Sequence, residues 1–253
     1  ILIDIIELIE GAFCLVIQTQ NEIWCARDKN GVRPLLITKN NKFCLDCKFT
    51  KEIQIEIASE NVAFTNINNP IRNVSPGEII QIKYDELKIQ SKYKYHDATK
   101  PCSTLQSKNY SNSNNNINNH CVFEYIYFQK DVSTTNKIST TLFRHQIAIE
   151  LGKQIYQNEK LIHHLKSFDR HEVMVCGVPS SGLIYGIKLA EILGLPYHQF
   201  LKKRADYPWR TFILESNDKR LQACAKKYIV EEDIIKNKVI ILVDDSIVIG
   251  TTI

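Results

Sequence analysis

Two hydrophobic rhythms divide the chain. In the first part, short apolar runs alternate with turn residues, and in the last part longer helical stretches separate runs that are apolar throughout. Leu2, Ile5, Ile6 and Ile9 recur at helical spacing and predict a helix over 1–10, which Gly11 ends. Strands are predicted over 12–17 and 22–27, followed by the tight turn Asp28-Lys29-Asn30-Gly31, where Asn-Gly supplies positive φ. Segments 35–38 and 42–45 continue a β meander. Ser59 is a candidate N-cap for a short helix opening at 58–60. Val74-Ser75-Pro76-Gly77 reads as a turn into a strand over 78–83. This part is expected to be mainly β, with short antiparallel connections.

Residues 96–120 change character. Their Asn- and Ser-rich tract has little to bury, which predicts a disordered surface loop between two folded parts. Beyond it, 121–128 reads as a strand with Phe123, Tyr125 and Tyr127 on one face. An amphipathic helix is predicted over 142–156 and a buried strand over 173–178. Pro179-Ser180-Ser181-Gly182 then turns into a helix that runs through Leu193 and is ended by Gly194 and Pro196. Strand and helix keep alternating to the end, the pattern of a parallel α/β domain.

The chemistry concentrates in the final stretch. The run Val239-Ile240-Ile241-Leu242-Val243 has no polar alternation and reads as a buried parallel strand, and it stops at Asp244-Asp245. The loop behind it holds Ser246, Gly250, Thr251 and Thr252. Ligands of open α/β sheets bind past the carboxyl ends of such strands. Gly250 lets backbone N–H groups close on an anion, and Thr251 and Thr252 add hydroxyl donors. Asp244 and Asp245 repel phosphate but suit sugar hydroxyls or a bridging Mg²⁺. Together these groups describe a site for a phosphorylated ribose. Val178-Pro179-Ser180-Ser181-Gly182 repeats the design of strand, polar turn and helix start, and its N–H groups point along the positive end of a helix dipole. The basic and aromatic stretch 202–213, with Lys202, Arg204 and Arg210, shows no clean period and reads as a mobile lid over an anionic substrate.

Composition narrows the class. The 253 residues suffice for one large or two smaller domains, and 44% hydrophobic content supports a real core. A net charge of +4 with scattered Lys and Arg argues against a nucleic-acid partner. No apolar stretch approaches a membrane span and no signal peptide is visible, so no membrane partner is expected. The eight cysteines lie mostly within apolar runs, which fits reduced thiols in a cytoplasmic protein. The first helix lacks a cap and an initiating Met, and the chain stops where the helix behind the phosphate loop should begin. An internal fragment of a longer protein is therefore expected.

The strand, the Asp pair and the Gly-Thr-Thr loop resemble the signature of type I phosphoribosyltransferases, which bind phosphoribosyl pyrophosphate. Earlier segments, Gly11-Ala12-Phe13-Cys14-Leu15-Val16, Ala26-Arg27-Asp28, Gly31-Val32-Arg33-Pro34-Leu35, Ala58-Ser59-Glu60 and Val74-Ser75-Pro76-Gly77-Glu78, fall in the order seen in glutamine amidotransferase domains of the N-terminal-nucleophile type. The chain as a whole resembles the amidophosphoribosyltransferase family. That resemblance implies the C-terminal part of an α+β N-terminal-nucleophile amidotransferase domain over 1–95 and an Asn-rich insertion over 96–120. The N-terminal part of an α/β type I phosphoribosyltransferase domain would follow over 121–253.

It also implies an activity. Glutamine would be hydrolysed in the first domain, and its ammonia would displace pyrophosphate from phosphoribosyl pyrophosphate in the second, the first committed step of purine biosynthesis. A homo-oligomer, with phosphoribosyl pyrophosphate and glutamine as substrates and Mg²⁺ as cofactor, would be the working form. Asp244 and Asp245 would hold the ribose hydroxyls and place Mg²⁺ together with Ser181. Residues 246–252 would cradle the 5-phosphate, Ser180, Ser181 and Gly182 the pyrophosphate, and Lys202, Arg204 and Arg210 would belong to the lid.

Departures from the family pattern matter. The family's glutaminase nucleophile is an N-terminal Cys whose α-amine is the base, whereas this chain begins with Ile1, so no glutaminase activity is expected of it. Ile249 stands where the family usually has Arg, Ser180 where an acidic residue is usual, and the lid stretch is two residues longer. A non-catalytic sugar-phosphate binder and a salvage-type phosphoribosyltransferase therefore stay open as alternatives. Cys121 matches a ligand position of the members that carry a [4Fe–4S] cluster, but members without a cluster can also have a Cys there, and a buried strand cysteine is the favoured reading. Cys44 and Cys47 have zinc-like spacing but no second pair nearby, and His163-His164 reads as a solvated helix end.

Overall fold

The computed structural model describes residues 2–43, 51–66, 68–85, 89–94, 120–205 and 217–247. The Asn-rich tract up to residue 119 and the Cys44–Cys47 pair lie outside the described residues. Two compact units emerge: 1–124 with 128–138, and 125–127 with 139–253. Residues 121–124 and 128–138 thus pack with the first unit.

The first unit is built on two sheets. One has the order β1 (Cys14–Gln18), β2 (Glu22–Arg27), β6 (Glu78–Lys83), β7 (Ile89–Lys94), all antiparallel. The other places β3 (Leu36–Phe43) between β4 (Lys51–Ala58) and β5 (Ile71–Asn73), again antiparallel. Side chains of a strand alternate between faces, and here both faces of the first sheet are apolar. Ile23, Cys25, Ile80 and Ile82 join Leu35, Ile37, Ile55 and Ile57 in one core between the sheets. Trp24, Ala26 and Ile79 meet Leu2, Ile3 and Ile6 of α1 (Leu2–Glu7) on the other face. Each fully buried side chain of this kind stabilises by about 1.5–3 kcal/mol.

Several expectations are corrected here. Helix α1 stops at Glu7, and its inward face is Leu2, Ile3 and Ile6, while Ile5 and Ile9 are exposed. Residues 36–43, which span the first meander segment and the start of the second, form a single strand, Leu36–Phe43, because Lys51–Ala58 pairs along its whole length, and residues 44–45 lie outside the described residues. The turn near residue 60 is a 3-10 turn, Asn61–Ala63, whose N-cap is Glu60 rather than Ser59 and which has no side-chain cap. Only Gly31 of the Asn30-Gly31 pair has positive φ.

The stretch predicted as a strand over 121–128 is a π-helical turn, Glu124–Phe128. Gln129 N donates to Glu124 O (2.9 Å), and Glu124 N donates to Cys121 O (3.0 Å). Alternation of aromatic residues mimicked a strand. The deciding partners come from distant sequence: within the second unit Arg144 Nε donates to Tyr125 O (2.8 Å) and Tyr185 Oη to Ile126 O (2.9 Å). Carbonyls held this way do not need a sheet neighbour.

A sealed polar corner sits in the first unit. Arg27 donates to Arg33 O (2.8 Å), Val74 O (2.7 Å) and Gly31 O (2.8 Å). Asp28 accepts from the amides of Asn30 and Val32, and its own carbonyl accepts from Gly31 and Gly77. Both residues are buried. At Gly31, φ is +63° and a Cβ would lie 2.7 Å from Pro76 Cγ, so the turn requires glycine.

A short ribbon, β8 (Thr134–Thr135) with β9 (Ile138–Ser139), precedes α2 (Thr140–Gln157), whose N-cap is Ser139. Helix α3 (Glu159–Lys166) follows and carries His163 and His164 in its last turn. The second unit is centred on β10 (Val173–Gly177), which α4 (Leu183–Leu193) follows. The later elements are β11 (Leu201–Lys203), α5 (Asn217–Lys227), β12 (Tyr228–Val230), α6 (Glu232–Ile235) and β13 (Val239–Val243). Strands β10 and β13 pair in parallel from Val173↔Val239 to Gly177↔Val243. One face, with Val175, Ile241 and Val243, packs on Ala148, Tyr185 and Leu189, and the other, with Met174, Cys176, Ile240 and Leu242, packs on Phe200 and Ile235. Burial on both faces is why neither strand alternates with polar residues. Gly152 lets α2 approach α4, since a Cβ there would lie 2.7 Å from Ile192 Cγ2.

Candidate functional site

The parallel register brings the two sequence-distant turns together. Because Gly177 pairs with Val243, the turn after β10 and the Asp pair after β13 leave the sheet side by side. Val178 N donates to Val243 O (2.8 Å), and Gly182 N closes the first turn on Val178 O (2.8 Å). The approach has no room for a side chain. A Cβ on Gly182 would sit 2.2 Å from Val243 O, and one on Gly177 would sit 2.5 Å from Gly182 O. The contact that joins the turns is Ser181 Oγ donating to Asp244 Oδ1 at 2.9 Å. Asp245 N donates to the same oxygen (2.9 Å), and Ser246 Oγ donates to Asp245 Oδ2 (2.9 Å).

The electrostatics of the pair are asymmetric. Burial, followed by the neighbouring Asp245 carboxylate, pushes Asp244 up from 3.8 to about 6, against the hydrogen bonds from Asp245 N and Ser181. Two carboxylates this close disfavour double ionisation, which a nearby cation would relieve. Tyr228, at the start of β12, is raised first by burial and then by Asp244, which places its phenol within the field of the pair. Phe143, Ile147, Glu150, Leu151, Tyr185 and Val243 line a cavity of about 400 Å³ that ends on Asp244 and Asp245.

Ser180 lies exposed at the tip of its turn, Ser181 is half-buried and Gly182 buried. Lys202 does not sit in the loop expected for it, whereas Arg204 follows directly after the strand Leu201–Lys203. Lys202 belongs to β11, paired with β12, and forms an ion pair with Glu231, while Arg204 N donates to Lys227 O (2.9 Å). The antiparallel partner Tyr228–Val230, some twenty-five residues downstream, makes this stretch a strand. Arg210, Ile249, Gly250, Thr251 and Thr252 lie outside the described residues. Tyr228 and Tyr185 escaped the sequence reading, since an isolated tyrosine in an apolar run carries no positional signal.

For Mg²⁺ the donor set fits: two carboxylates and a hydroxyl are hard oxygen ligands, and Mg²⁺ takes one or two protein carboxylates and draws the rest from phosphate and water. No cluster of three or more His, Cys, Asp or Glu side chains occurs among the described residues. An iron–sulfur cluster at Cys121 therefore finds no further protein ligands there. Cys121 is half-buried, and its amide donates to Val32 O (3.0 Å). Among the described residues no helix is long and apolar enough to cross a membrane.

No family model matches the chain. A curated amidophosphoribosyltransferase from Methanocaldococcus jannaschii is 31% identical over 249 residues, covering 96% of this chain and 45% of the relative. One from Escherichia coli is 31% identical over 248 residues, covering 97% and 42%, respectively. Among solved structures, glutamine phosphoribosylpyrophosphate amidotransferase from Bacillus subtilis, complexed with ADP and GMP, aligns with a TM-score of 0.61 at 29% identity, over 99% of this chain and 45% of that one. The chain thus spans less than half the length of the relatives it matches.

Proposed function

We propose that this chain, a relative of the amidophosphoribosyltransferases over nearly all of its length, forms the end of a phosphoribosyl pyrophosphate site on its second unit and works in the first step of purine biosynthesis. The fold assignment follows: an N-terminal-nucleophile amidotransferase part, then a type I phosphoribosyltransferase part. The observation that carries the reading is the Ser181–Asp244 contact, with Gly182 pressed on Val243 O. It joins a hydroxyl-bearing helix-start turn to a carboxylate pair, the arrangement a pentose bearing a pyrophosphate needs.

Each group has a task in that reading. Asp244 and Asp245 accept from the ribose hydroxyls, and with Ser181 they would hold Mg²⁺, which supplies charge neutralisation for the leaving pyrophosphate. The turn of Ser180, Ser181 and Gly182 orients that pyrophosphate at the start of α4. Ser246, Gly250, Thr251 and Thr252 receive the 5-phosphate. Lys202, Arg204 and Arg210 supply positive charge from the neighbouring ribbon and the stretch beyond it. As pyrophosphate departs, the anomeric carbon becomes cationic and ammonia attacks it. A second reading, sugar-phosphate binding without turnover, is favoured by Ser180 and Ile249, where the family pattern has charged side chains.

Calorimetric titration of the chain with phosphoribosyl pyrophosphate and Mg²⁺, beside an assay of ammonia-dependent phosphoribosylamine formation, tests the proposal. Binding that Asp245→Asn abolishes is expected. Binding unaffected by Asp245→Asn overturns the site assignment, and binding without turnover selects the second reading.

A further inference from the structure

We infer that Gln199 is a positioning residue that ties the pyrophosphate turn to the basic ribbon through one side-chain amide. The inference rests on the sugar-phosphate reading of that turn. A short parallel ladder runs beside β10: Val175 N donates to Pro196 O (2.9 Å) and His198 N to Val175 O (3.0 Å). In a parallel ladder the next acceptor on the same edge of β10 is two residues on, at Gly177. Among the described residues no main-chain amide donates to it, and the Cys176 thiol makes only a long contact (3.6 Å). Gln199 Nε2 donates to it at 3.0 Å, and its second donor goes to Leu201 O at 2.6 Å. Gly177 is the last residue of β10 before the turn holding Ser180, Ser181 and Gly182, and Leu201 is the first residue of β11, which carries Lys202.

The amide has only one workable orientation. Its NH₂ faces two carbonyls, and Oε1 accepts from Tyr197 Oη. A flipped amide would set an oxygen against two carbonyl oxygens. Tyr197 is itself held in the core, and its ring lies 3.2 Å from where a Cβ on Gly186 would be. Strands β10 and β11 belong to different sheets, so this side chain takes the place of a ladder bond between the turn that would hold pyrophosphate and the strand that would present cations.

Three variants of the chain test this: Gln199→Leu, which removes every polar contact; Gln199→Glu, which keeps shape and the acceptor for Tyr197 but loses both donors; and Tyr197→Phe, which keeps the packing and frees the amide to turn. Segment-resolved hydrogen exchange and calorimetric binding of Mg²⁺-phosphoribosyl pyrophosphate are the readouts. Both Gln199 variants are expected to speed exchange in 178–182 and in 201–204 together, leave 173–176 protected, and weaken binding by about tenfold, the equivalent of one or two lost hydrogen bonds. Tyr197→Phe should show the same pattern at smaller amplitude. Unchanged exchange, acceleration in one segment alone, or uniform loosening of the unit overturns the positioning role. If the unaltered chain binds no phosphoribosyl pyrophosphate, the site reading fails, while the paired exchange response still decides the role of Gln199.

Discussion

Each unit contains a polar corner at the end of a strand, buried at Arg27–Asp28 and half-buried at Asp244–Asp245, and the corners are organised in opposite ways. At Arg27–Asp28 the charges are saturated by backbone: three carbonyls around the guanidinium, and amides on the carboxylate. At Asp244–Asp245 the carboxylates face each other, and their partners are two hydroxyls and one amide. A charge bonded to main chain and closed off from solvent holds a fold and does not meet a ligand. Carboxylates that crowd one another carry unrelieved electrostatic cost, which a cation or a set of sugar hydroxyls would lower. The contrast separates a structural corner from a candidate site without any reference to relatives.

The largest expected effect is on the sealed corner. Arg27→Met leaves the buried carbonyls of Gly31 and Val74 without their guanidinium donor, and Arg33 O with only the Cys14 thiol, and should lower the unfolding free energy by about 3–5 kcal/mol, read by urea denaturation. A loss below about 1 kcal/mol would break the contrast, because the corner would then not depend on its charge.

Next comes the spacing of the open corner. Gly182→Ala puts a methyl group 2.2 Å from Val243 O, so the turns must separate. A loss of about 1–3 kcal/mol is expected, together with loss of phosphoribosyl pyrophosphate binding. Retained binding would mean that the two turns do not act as one site.

Asp244→Asn should work in the other direction. The carboxyl ionises at 3.8 in its ordinary state and at about 6 in the fold. The unfolded chain therefore gives up this proton first, and the fold loses stability as pH rises through that window and stays lower above it. The variant should match the parent below pH 3.8 and exceed it by about 1 kcal/mol at neutral pH, a figure reduced for the partial exposure of the group. Thermal melts across that range check the sign, and destabilisation at neutral pH would overturn the picture of a strained pair. The smallest change is Ser181→Ala, which removes one hydrogen bond to Asp244 and should cost about 0.5–1 kcal/mol, with a further upward shift of the Asp244 carboxyl measurable by NMR titration.

Legibility in the sequence followed how local the determining forces were. Strands 22–27 and 78–83 matched to the residue, because alternation and flanking turns mark them on both sides. The helix ending at Leu193 was equally clear, since Gly194 adopts positive φ there. The strand Lys51–Ala58 was missed and the π-turn misread, as was the ribbon at Leu201–Lys203. For the π-turn and the ribbon the backbone's partners lie far along the chain, whereas Lys51–Ala58 pairs with the strand just before it, Phe43 opposite Lys51. The Asp pair and the Ser-bearing turn were both picked out from their strand-then-turn patterns, although their 2.9 Å contact was not.

By itself, then, the sequence marked out the candidate site side chains and which runs are buried on one face or two, because residue type and periodicity are properties of neighbours a few positions apart. Only the tertiary structure decided that Gly177 pairs with Val243, that Ser181 meets Asp244, and that Gln199 bridges two sheets. The first two depend on the register between strands some sixty residues apart, where a one-residue slip would point the groups elsewhere, and the third on the packing of Tyr197 beside Val175.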